Sequence, residues 1–350
     1  MSNARAARRR AEKDAAKPVS FNQTGPKIQM VNPVAQWYEA FIIGNAQFCE
    51  YVVEEGSAKG QSLVLCGAGP SLAEDAAAYC PGADQLWGCN SALIWLQDHG
   101  YKPTHGFCID QTPEMVREWY TAPDVEYLVA STIHPHLTEY LMGRGRRLRW
   151  FHNFVGLRKR PVALKDDDGI ERIMAYEDWM YSSLFTGTVR AGSGLNSVTR
   201  ALDVALYMGF DKITVLGADC ALRIKSKQPE GTTFGSPEHK AWLKNETTMH
   251  ADGGSAVSGG QSPLTLGAEI DGRWWETKID LVISAVWLTK MECFHGGRIV
   301  LVGDTLPVAL REKDDAFLDR LPGPTGQDGR LMKVSIQDPI GLETLSPRGA

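Results

Sequence analysis

Residues 62–72 read SLVLCGAGPSL, a short apolar run that is followed at once by two glycines and a proline. The apolar run is typical of a buried strand, and the Ala-rich stretch after it is typical of a helix. A strand, a glycine-containing turn and a helix N-terminus bring backbone N–H groups and the positive end of the helix dipole to one point. This turn is therefore predicted to bind an anion such as a phosphate, although it also fits a tight strand-to-helix connection. We call it the glycine turn, and it comprises Gly67, Ala68, Gly69, Pro70 and Ser71.

Alternating strands and helices extend along the chain from the glycine turn. The alternation predicts an α/β domain with a Rossmann-like, mostly parallel central sheet and helices on both faces. The predicted strands are residues 62–66, 85–89, 105–109, 126–131, 212–216 and 298–302. The predicted helices are residues 91–98, 112–120, 196–208 and 279–293, and residues 269–278 are predicted to form a hairpin.

Three polar residues, Asn90, Asp110 and Asp219, stand near the ends of predicted strands. Ligands of parallel α/β sheets bind outside the carboxyl ends of the strands, so these residues and the glycine turn are predicted to contribute to one nucleotide site. Asp110 and Asp219 are also suited to hold Mg²⁺ against a diphosphate, because carboxylate oxygens are ligands of that cation. A carboxylate that caps a turn explains Asp219 equally well.

The chain is predicted to contain four segments. Residues 1–27 form a flexible basic arm, which is either a handle for an acidic partner or a solubilising tail. Residues 28–60 form an N-terminal helical segment, because apolar residues recur at helical spacing from Trp37 to about Glu55. Residues 61–310 form the α/β nucleotide-binding domain, and residues 311–350 form a C-terminal tail.

The composition is that of an ordinary globular protein. The 350 residues include 37 Lys plus Arg and 42 Asp plus Glu, and the resulting charge of −5 excludes a uniformly basic nucleic-acid coat. No apolar run approaches the roughly 18 residues of a membrane span, and the N-terminus lacks the apolar part of a secretory signal. We therefore expect a soluble, cytoplasmic protein. The seven cysteines are scattered without a C-x-x-C pair, which predicts reduced thiols rather than disulfides or a zinc site.

A basic and aromatic segment extends from Arg144 to Arg160. It carries Trp150, Phe151 and Phe154 among its Lys and Arg residues. Three interpretations remain open. The segment binds a nucleic-acid backbone with its rings as stacking platforms, or it collects an anionic sugar or nucleotide, or it forms solvated strands whose rings face the core.

Several motifs, taken in order, resemble those of one superfamily. They are the glycine turn with Leu72, then Cys89-Asn90, residues 190–194 (RAGSG), residues 201–222 (ALDVALYMGFDKITVLGADCAL) and residues 250–253 (HADG). In this order they resemble the bacterial sialyltransferases and their relatives, the motility accessory factors and the archaeal 6-hydroxymethylpterin diphosphokinase-like proteins. Each motif is short, and the ordered set, which spans residues 60–310, is more specific than any one of them.

The resemblance implies a sialyltransferase-like variant of the GT-A type of fold. It also implies a transferase that moves an acidic sugar from a CMP-activated donor to a hydroxyl acceptor without a cofactor. In that family the glycine turn and Asn90 hold the nucleotide, and Ser193 and Gly194 match the turn that lines its pocket. Arg190 matches the residue that pairs with the donor's carboxylate. His250 matches the general base on the acceptor hydroxyl, a role that suits the ordinary pKa of imidazole.

Other hypotheses start from two departures: Ala218 and Leu222 stand where relatives often carry Gln and Tyr. A diphosphokinase would transfer pyrophosphate from ATP to a hydroxymethyl group with Mg²⁺ at Asp110 or Asp219. A binding or structural protein would keep the fold without catalysis. A further hypothesis has DNA or a modified base as the acceptor, bound through residues 144–160 and the basic arm. The oligomeric state stays open, and a homo-oligomer is compatible with the sequence.

Overall fold

One parallel sheet organises the part of the chain that the structure describes. The structure is a computed structural model, and it describes residues 33–109, 124–153, 162–165, 171–174, 184–185, 190–191, 196–224, 236–238, 241–242, 247–248, 251, 265–271, 273–311 and 313. Within these residues eight strands form the sheet, and every neighbouring pair in it runs parallel. The predicted arm, the predicted helix at residues 112–120 and residues 314–350 of the predicted tail lie outside the described residues.

The described strands are β1 (Ser62–Cys66), β2 (Gln85–Cys89), β3 (His105–Cys108), β4 (Glu126–Ala130), β5 (Arg147–Asn153), β6 (Val162–Lys165), β7 (Glu171–Met174), β8 (Arg190–Ala191), β9 (Lys212–Leu216), β10 (Arg223–Ile224), β11 (Thr247–Thr248), β12 (Thr265–Ile270), β13 (Arg273–Lys278) and β14 (Ile299–Leu301). The described helices are α1 (Pro33–Ala46), α2 (Ser71–Tyr79), α3 (Ser91–Asp98), α4 (Pro135–Met142), α5 (Ser197–Met208), α6 (Ile279–Phe294) and α7 (Leu306–Leu310). The sheet order is β14-β9-β1-β2-β3-β4-β5-β8, and β6–β7, β10–β11 and β12–β13 are antiparallel pairs.

Helices cover both faces of the sheet because side chains alternate along each buried strand. On β1, Leu63 and Leu65 belong to the same core as α5 and α6, whereas Val64 and Cys66 pack with α2 and α3. All four side chains are buried. The predicted Rossmann-like fold, a mostly parallel sheet between two layers of helices, is therefore confirmed.

Helix α5 begins and ends where its sequence provides caps. The Asn196 side chain accepts a hydrogen bond from Thr199 N–H, and the Thr199 hydroxyl accepts one from Asn196 N–H, which together form a capping box. Gly209 ends the helix with φ 86°, a conformation that glycine adopts without steric cost. The capping box fixes the start of α5 at the carboxyl ends of the strands. There the Ser197 hydroxyl accepts a hydrogen bond from the side chain of Asn90, the residue after β2.

Helix α1 is shorter than the sequence predicts. It ends at Ala46, whereas the helical spacing of apolar residues continues to about Glu55. Residues 51–53 instead run along β5: Trp150 N–H donates to Tyr51 O, and Val53 N–H donates to Trp150 O, each at 2.9 Å. Pairing with a strand requires extended backbone, and the helix therefore ends before this segment.

The aromatic residues of the basic segment that the structure describes belong to the core. Trp150 and Phe151 lie on β5 and are completely buried. Phe151 stacks on Phe107 with ring centroids 4.9 Å apart. The interpretation of Trp150 and Phe151 as stacking platforms for nucleic-acid bases is therefore wrong, because a platform must expose at least one face of its ring and both rings are fully buried. Residues 154–161 lie outside the described residues.

Most of the cysteines lie in the core. None of the seven forms a disulfide bond in the structure, and five of them are buried: Cys66, Cys80, Cys89, Cys108 and Cys220. Among the residues that the structure describes, no helix has the length and apolar character needed to cross a membrane.

Glu126 holds together a charge network at the amino ends of β3, β4 and β5. Its carboxylate bonds to His105 Nε2 at 3.1 Å and to the Arg149 guanidinium at 3.1 and 3.2 Å. Burial by itself raises the pKa of Glu126, but the hydrogen bond from His105 and the charge of Arg149 outweigh burial and lower the pKa to about 2. A folded-state pKa below the ordinary 4.5 means that the ionised carboxylate stabilises the fold above that pH. The stabilisation is lost as the pH falls toward the folded-state value.

We predict that Glu126→Gln lowers the free energy of unfolding by about 2 kcal/mol at neutral pH, because charge-assisted hydrogen bonds become neutral ones. The difference from the wild type should shrink as the pH falls from 4.5 toward about 2. Urea unfolding at a series of pH values measures it. Glu139→Gln, which changes an exposed carboxylate, serves as the control and should stay within about 0.5 kcal/mol at every pH. A difference for Glu126→Gln that does not depend on pH would contradict this assignment.

Candidate functional site

The strand order of the sheet reverses beside β1. Strands β2, β3, β4, β5 and β8 follow on one side, and β9 and β14 lie on the other. Ligands of open α/β sheets bind outside the carboxyl ends of the strands at such a reversal, because the flanking connections leave in opposite directions and open a crevice. The ends of β1, β2 and β9 are therefore the expected position of a ligand.

A cavity of about 200 Å³ occupies this position. We call it the central cavity, and we call residues 217–222, which follow β9, the aspartate turn. Segments that are far apart in the sequence form its wall: residues 67–69, residues 89–91, residues 196–198, four residues of the aspartate turn and Leu281. Of the predicted site residues, those that the fold brings together at this wall are Gly67, Ala68, Gly69, Asn90 and Asp219.

A larger groove of about 840 Å³ lies at the opposite end of the sheet, near the amino ends of β1 and β9. It is a wide, open depression whose charged residues are Glu55, Lys59, Asp211 and Arg298. No residue that was predicted from the strand ends contributes to it. We place the candidate site in the central cavity, because position at the strand ends is a better guide to ligands than volume.

The glycine turn and the aspartate turn are packed against each other more closely than any side chain would allow. A Cβ atom on Gly67 would lie 2.5 Å from Gly217 O, and one on Gly69 would lie 2.2 Å from Asp219 Oδ2. The backbones are joined directly, because Gly67 N–H donates to Leu216 O at 2.8 Å and Gly69 N–H donates to Gly217 O at 2.9 Å. The two glycines therefore serve this close approach.

Asp219 reaches from the aspartate turn to the start of helix α2. Ser71 N–H donates to its two carboxylate oxygens at 3.2 Å, and the Ser71 hydroxyl donates to Oδ2 at 2.7 Å. Both residues are buried. Burial raises the pKa of Asp219 to about 6, although the hydrogen bonds from Ser71 and the charge of Arg223 act in the opposite direction. These contacts correspond to the capping interpretation of Asp219, but the capped group belongs to another part of the chain.

The N–H groups at the start of α2 already donate within the protein. Ser71 N–H is bonded to Asp219, Leu72 N–H donates to Gly69 O at 3.1 Å, and Ala73 N–H donates to Pro70 O at 3.3 Å. Pro70 has no N–H group, and neither Pro70 nor Ser71 lines the central cavity. A protein carboxylate therefore occupies the N-terminus of α2, and the residues of the glycine turn that reach the cavity wall are Gly67, Ala68 and Gly69.

Arg223 balances the negative charge of Asp219 and of two neighbouring carboxylates. No sequence motif points to this arginine. Its guanidinium lies 3.8 Å from Asp219, 3.2 Å from Glu74 and 3.6 Å from Asp304. A spacing of four residues indicates an ion pair only on a helix. Asp219 lies in the aspartate turn and Arg223 begins β10, so no local pattern indicates this pair. Within the described ranges, no three potential ligands are grouped to hold a metal ion. Asp110, the other predicted Mg²⁺ ligand, lies outside those ranges.

Asn90 links the end of β2 to the start of α5. Its side-chain Nδ2 donates to Ser197 Oγ at 3.0 Å, and its backbone N–H donates to Phe107 O at 3.1 Å. Its backbone lies at φ 49° and ψ −123°, in a region that residues other than glycine rarely occupy. Its Oδ1 atom is buried at the cavity wall without a hydrogen-bond partner. A strained residue with an unused acceptor at a cavity is a feature typical of ligand sites.

Ser197 and Asn196 are cavity residues that the sequence analysis treated only as the start of a helix. The pattern that predicts a helix over residues 196–208 gave the correct secondary structure. It carried no sign of the contact with Asn90, which lies 107 residues earlier in the chain.

Ala251 contacts the glycine turn. This residue, which follows His250 in the sequence, donates its N–H to Ala68 O at 2.8 Å. His250 itself lies outside the described residues, as do Ser193 and Gly194.

Arg190 is described only by its backbone, which lies on β8 opposite His152. Strand β8 is at the edge of the sheet, and β3, β4 and β5 separate it from β2. At about 4.8 Å per strand, this places the backbone of Arg190 about 19 Å from β2 along the sheet. The structure therefore does not bring Arg190 to the wall of the central cavity.

Comparison with solved structures gives several similar chains, two of which follow. The MAf glycosyltransferase from Magnetospirillum magneticum is similar over 78% of this chain, with 12% identity and a TM-score of 0.47, and this chain covers 38% of that protein. A short-chain alcohol dehydrogenase from E. coli, complexed with NADH, is similar over 43% of this chain and 48% of its own length, with 12% identity and a TM-score of 0.15. No protein-family model matches the sequence, and no curated protein matches it.

We predict that Gly69→Ala destabilises the protein by about 3 kcal/mol, because the new methyl group collides with the Asp219 carboxylate and with Gly217 O, 2.2 and 2.7 Å away. Gly296→Ala is the matched control, since a Cβ atom at that position meets no atom within 4 Å. Thermal and urea unfolding of both variants measure the effect. Equal stability of the two variants would show that the turns are not in close contact.

Proposed function

We propose that the protein is a glycosyltransferase of the sialyltransferase-like type. It transfers an acidic sugar from a cytidine nucleotide to a hydroxyl acceptor and needs no cofactor for this step. One observation carries the proposal: three motifs of the resemblance, the glycine turn, Cys89-Asn90 and the aspartate turn, contribute residues to one cavity at the reversal of strand order. The fold alone does not require polar residues at this wall, but a nucleotide would use them.

The central cavity is suited to part of the donor. Its volume of about 200 Å³ is below the ~300–1,000 Å³ typical of small-molecule sites, so only a portion of a nucleotide sugar fits within it. Asn90 Oδ1 offers an acceptor to an N–H or O–H group of the nucleoside. The remainder of the donor would extend along the strand ends, toward the side of the sheet on which Arg190 lies.

His250 is the proposed general base. The hydrogen bond from Ala251 N–H to Ala68 O supports this role, because it joins the residue next to His250 to the cavity wall. In the reaction, the acceptor oxygen bonds to the anomeric carbon while the bond from that carbon to the phosphate oxygen breaks. The imidazole takes the hydroxyl proton, and the nucleotide leaves as CMP with the electron pair of the broken bond.

Calorimetric titration with CMP, CTP and ATP, each with and without Mg²⁺, tests the proposed donor. We expect the cytidine nucleotides to bind without the metal. Binding of ATP that requires Mg²⁺ would favour a diphosphokinase instead, and no binding of any nucleotide would favour a protein without catalysis. His250→Ala should keep the affinity for CMP and lose turnover, because the imidazole acts on the acceptor and not on the nucleotide.

We predict that Asn90→Gly weakens CMP binding by about tenfold or more while the stability of the protein is unchanged or higher. Glycine adopts φ 49° and ψ −123° without strain, so the substitution removes the amide but keeps the backbone. The loss of one good hydrogen bond in a buried site corresponds to about this change in affinity. Calorimetry and thermal unfolding of the same sample provide the two readouts.

Asp271→Gly is the matched control for this prediction. Asp271 also has a positive φ of 53°, but it lies in the turn between β12 and β13 and is not part of the cavity wall. It should bind CMP as the wild type does. Unchanged CMP affinity in Asn90→Gly would remove Asn90 from the site.

A further inference from the structure

We propose that Asp219 is a positioning residue that takes the place of a ligand phosphate at the N-terminus of α2 and so holds the glycine turn ready for the nucleotide. The inference rests on the proposed function, because the turn is assigned there to nucleotide binding. Asp219 acts through Ser71 and the glycine turn, and the phosphate of the nucleotide lies elsewhere.

The contacts of the carboxylate match those that a bound phosphate would make. At a helix N-terminus an anion accepts hydrogen bonds from backbone N–H groups and from a nearby hydroxyl. Asp219 accepts from Ser71 N–H and from the Ser71 hydroxyl, and it is only 6% exposed. Its negative charge lies at the positive end of the α2 dipole, where an anion is stabilised.

The surroundings leave no room for a second anion beside Ser71. A Cβ atom on Gly69 would already meet Asp219 Oδ2 at 2.2 Å, and one on Gly303 would meet Ser71 Cβ at 3.2 Å and Ser71 Oγ at 3.3 Å. Ser71 is therefore enclosed between the aspartate turn and Gly303, and its exposed area is zero. An incoming phosphate could reach Ser71 only if Asp219 moved away.

Hydrogen bonds with neighbouring elements hold the backbone of the aspartate turn in place. Leu306 N–H donates to Asp219 O at 3.0 Å, Thr277 Oγ1 donates to Cys220 O at 2.6 Å, and Leu222 N–H donates to Glu276 O at 2.7 Å. These bonds join the aspartate turn to β13 and α7. The carboxylate is therefore fixed in place before any nucleotide arrives, and the glycine turn does not have to reorganise when it binds.

Chemical rescue of Asp219→Ala tests the inference. The substitution leaves the Ser71 N–H and hydroxyl groups without their acceptor at a position that borders the central cavity. Formate is a small carboxylate that can supply the missing acceptor, and sodium chloride at the same ionic strength controls for salt. We expect Asp219→Ala to unfold at a lower temperature and to bind CMP about tenfold more weakly in chloride. Formate should recover part of both losses, and the wild type should not respond to it.

Two further variants keep the result decisive. Glu126→Gln also loses a half-buried ionised carboxylate, but at the other end of the strands, and we expect it to keep its CMP affinity. If Asp219→Ala does not fold, Asp219→Asn, which retains one oxygen at the same place, should fold and bind CMP with intermediate affinity. Full CMP affinity in Asp219→Ala, a loss that formate does not reduce, or wild-type affinity in Asp219→Asn would overturn the inference.

The same experiment separates this inference from the proposed function. If the wild type binds no cytidine nucleotide, the proposed function fails. The formate-dependent unfolding temperature of Asp219→Ala then still shows whether a carboxylate fills the N-terminus of α2.

Discussion

The contact between the glycine turn and the aspartate turn is the constraint on which the rest of the structure depends. It joins the ends of β1 and β9 through direct backbone hydrogen bonds, and it is possible only because Gly67 and Gly69 have no side chains. The buried bonds between Ser71 and Asp219 close it on the helix side. Because the strand order reverses at this pair of strands, the same contact forms one wall of the central cavity.

Another wall of the cavity contains Asn90, whose backbone is strained. Asn90 occupies a backbone region that costs about 1–3 kcal/mol for residues other than glycine. It is held there by Ser197 on α5 and by Phe107 on β3, both of which belong to a sheet and helix layer with a large apolar core. These contacts hold Asn90 in place before a ligand binds, and its Oδ1 atom has no hydrogen-bond partner at the cavity wall. Such a site loses little free energy to reorganisation when a ligand binds.

Local patterns in the sequence were enough to predict the fold. They were not enough to predict the contacts between residues that are far apart in the chain. The strand Lys212–Leu216 was predicted to the residue, because a buried parallel strand is apolar and is followed by glycine. Helix α1 was predicted too long, because its apolar spacing continues into residues that pair with β5. The glycine turn was predicted to bind an anion. That anion is the side chain of Asp219, 148 residues away, and no pattern within the turn reveals it. Residues that line a cavity from separate segments, such as Asn90 and Ser197, became connected only in the folded chain.

The most direct test of the account is an NMR titration of the labelled protein with CMP, followed through its backbone and Asn side-chain amide signals. The account predicts shifts at Ala68, at Asn90 with its side-chain amide, and at Ser197, whereas the amide of Ser71, which is bonded to Asp219, stays in place. Two results would contradict it: shifts that are confined to the groove at the opposite end of the sheet, or a Ser71 amide signal that shifts at lower CMP concentrations than the other signals.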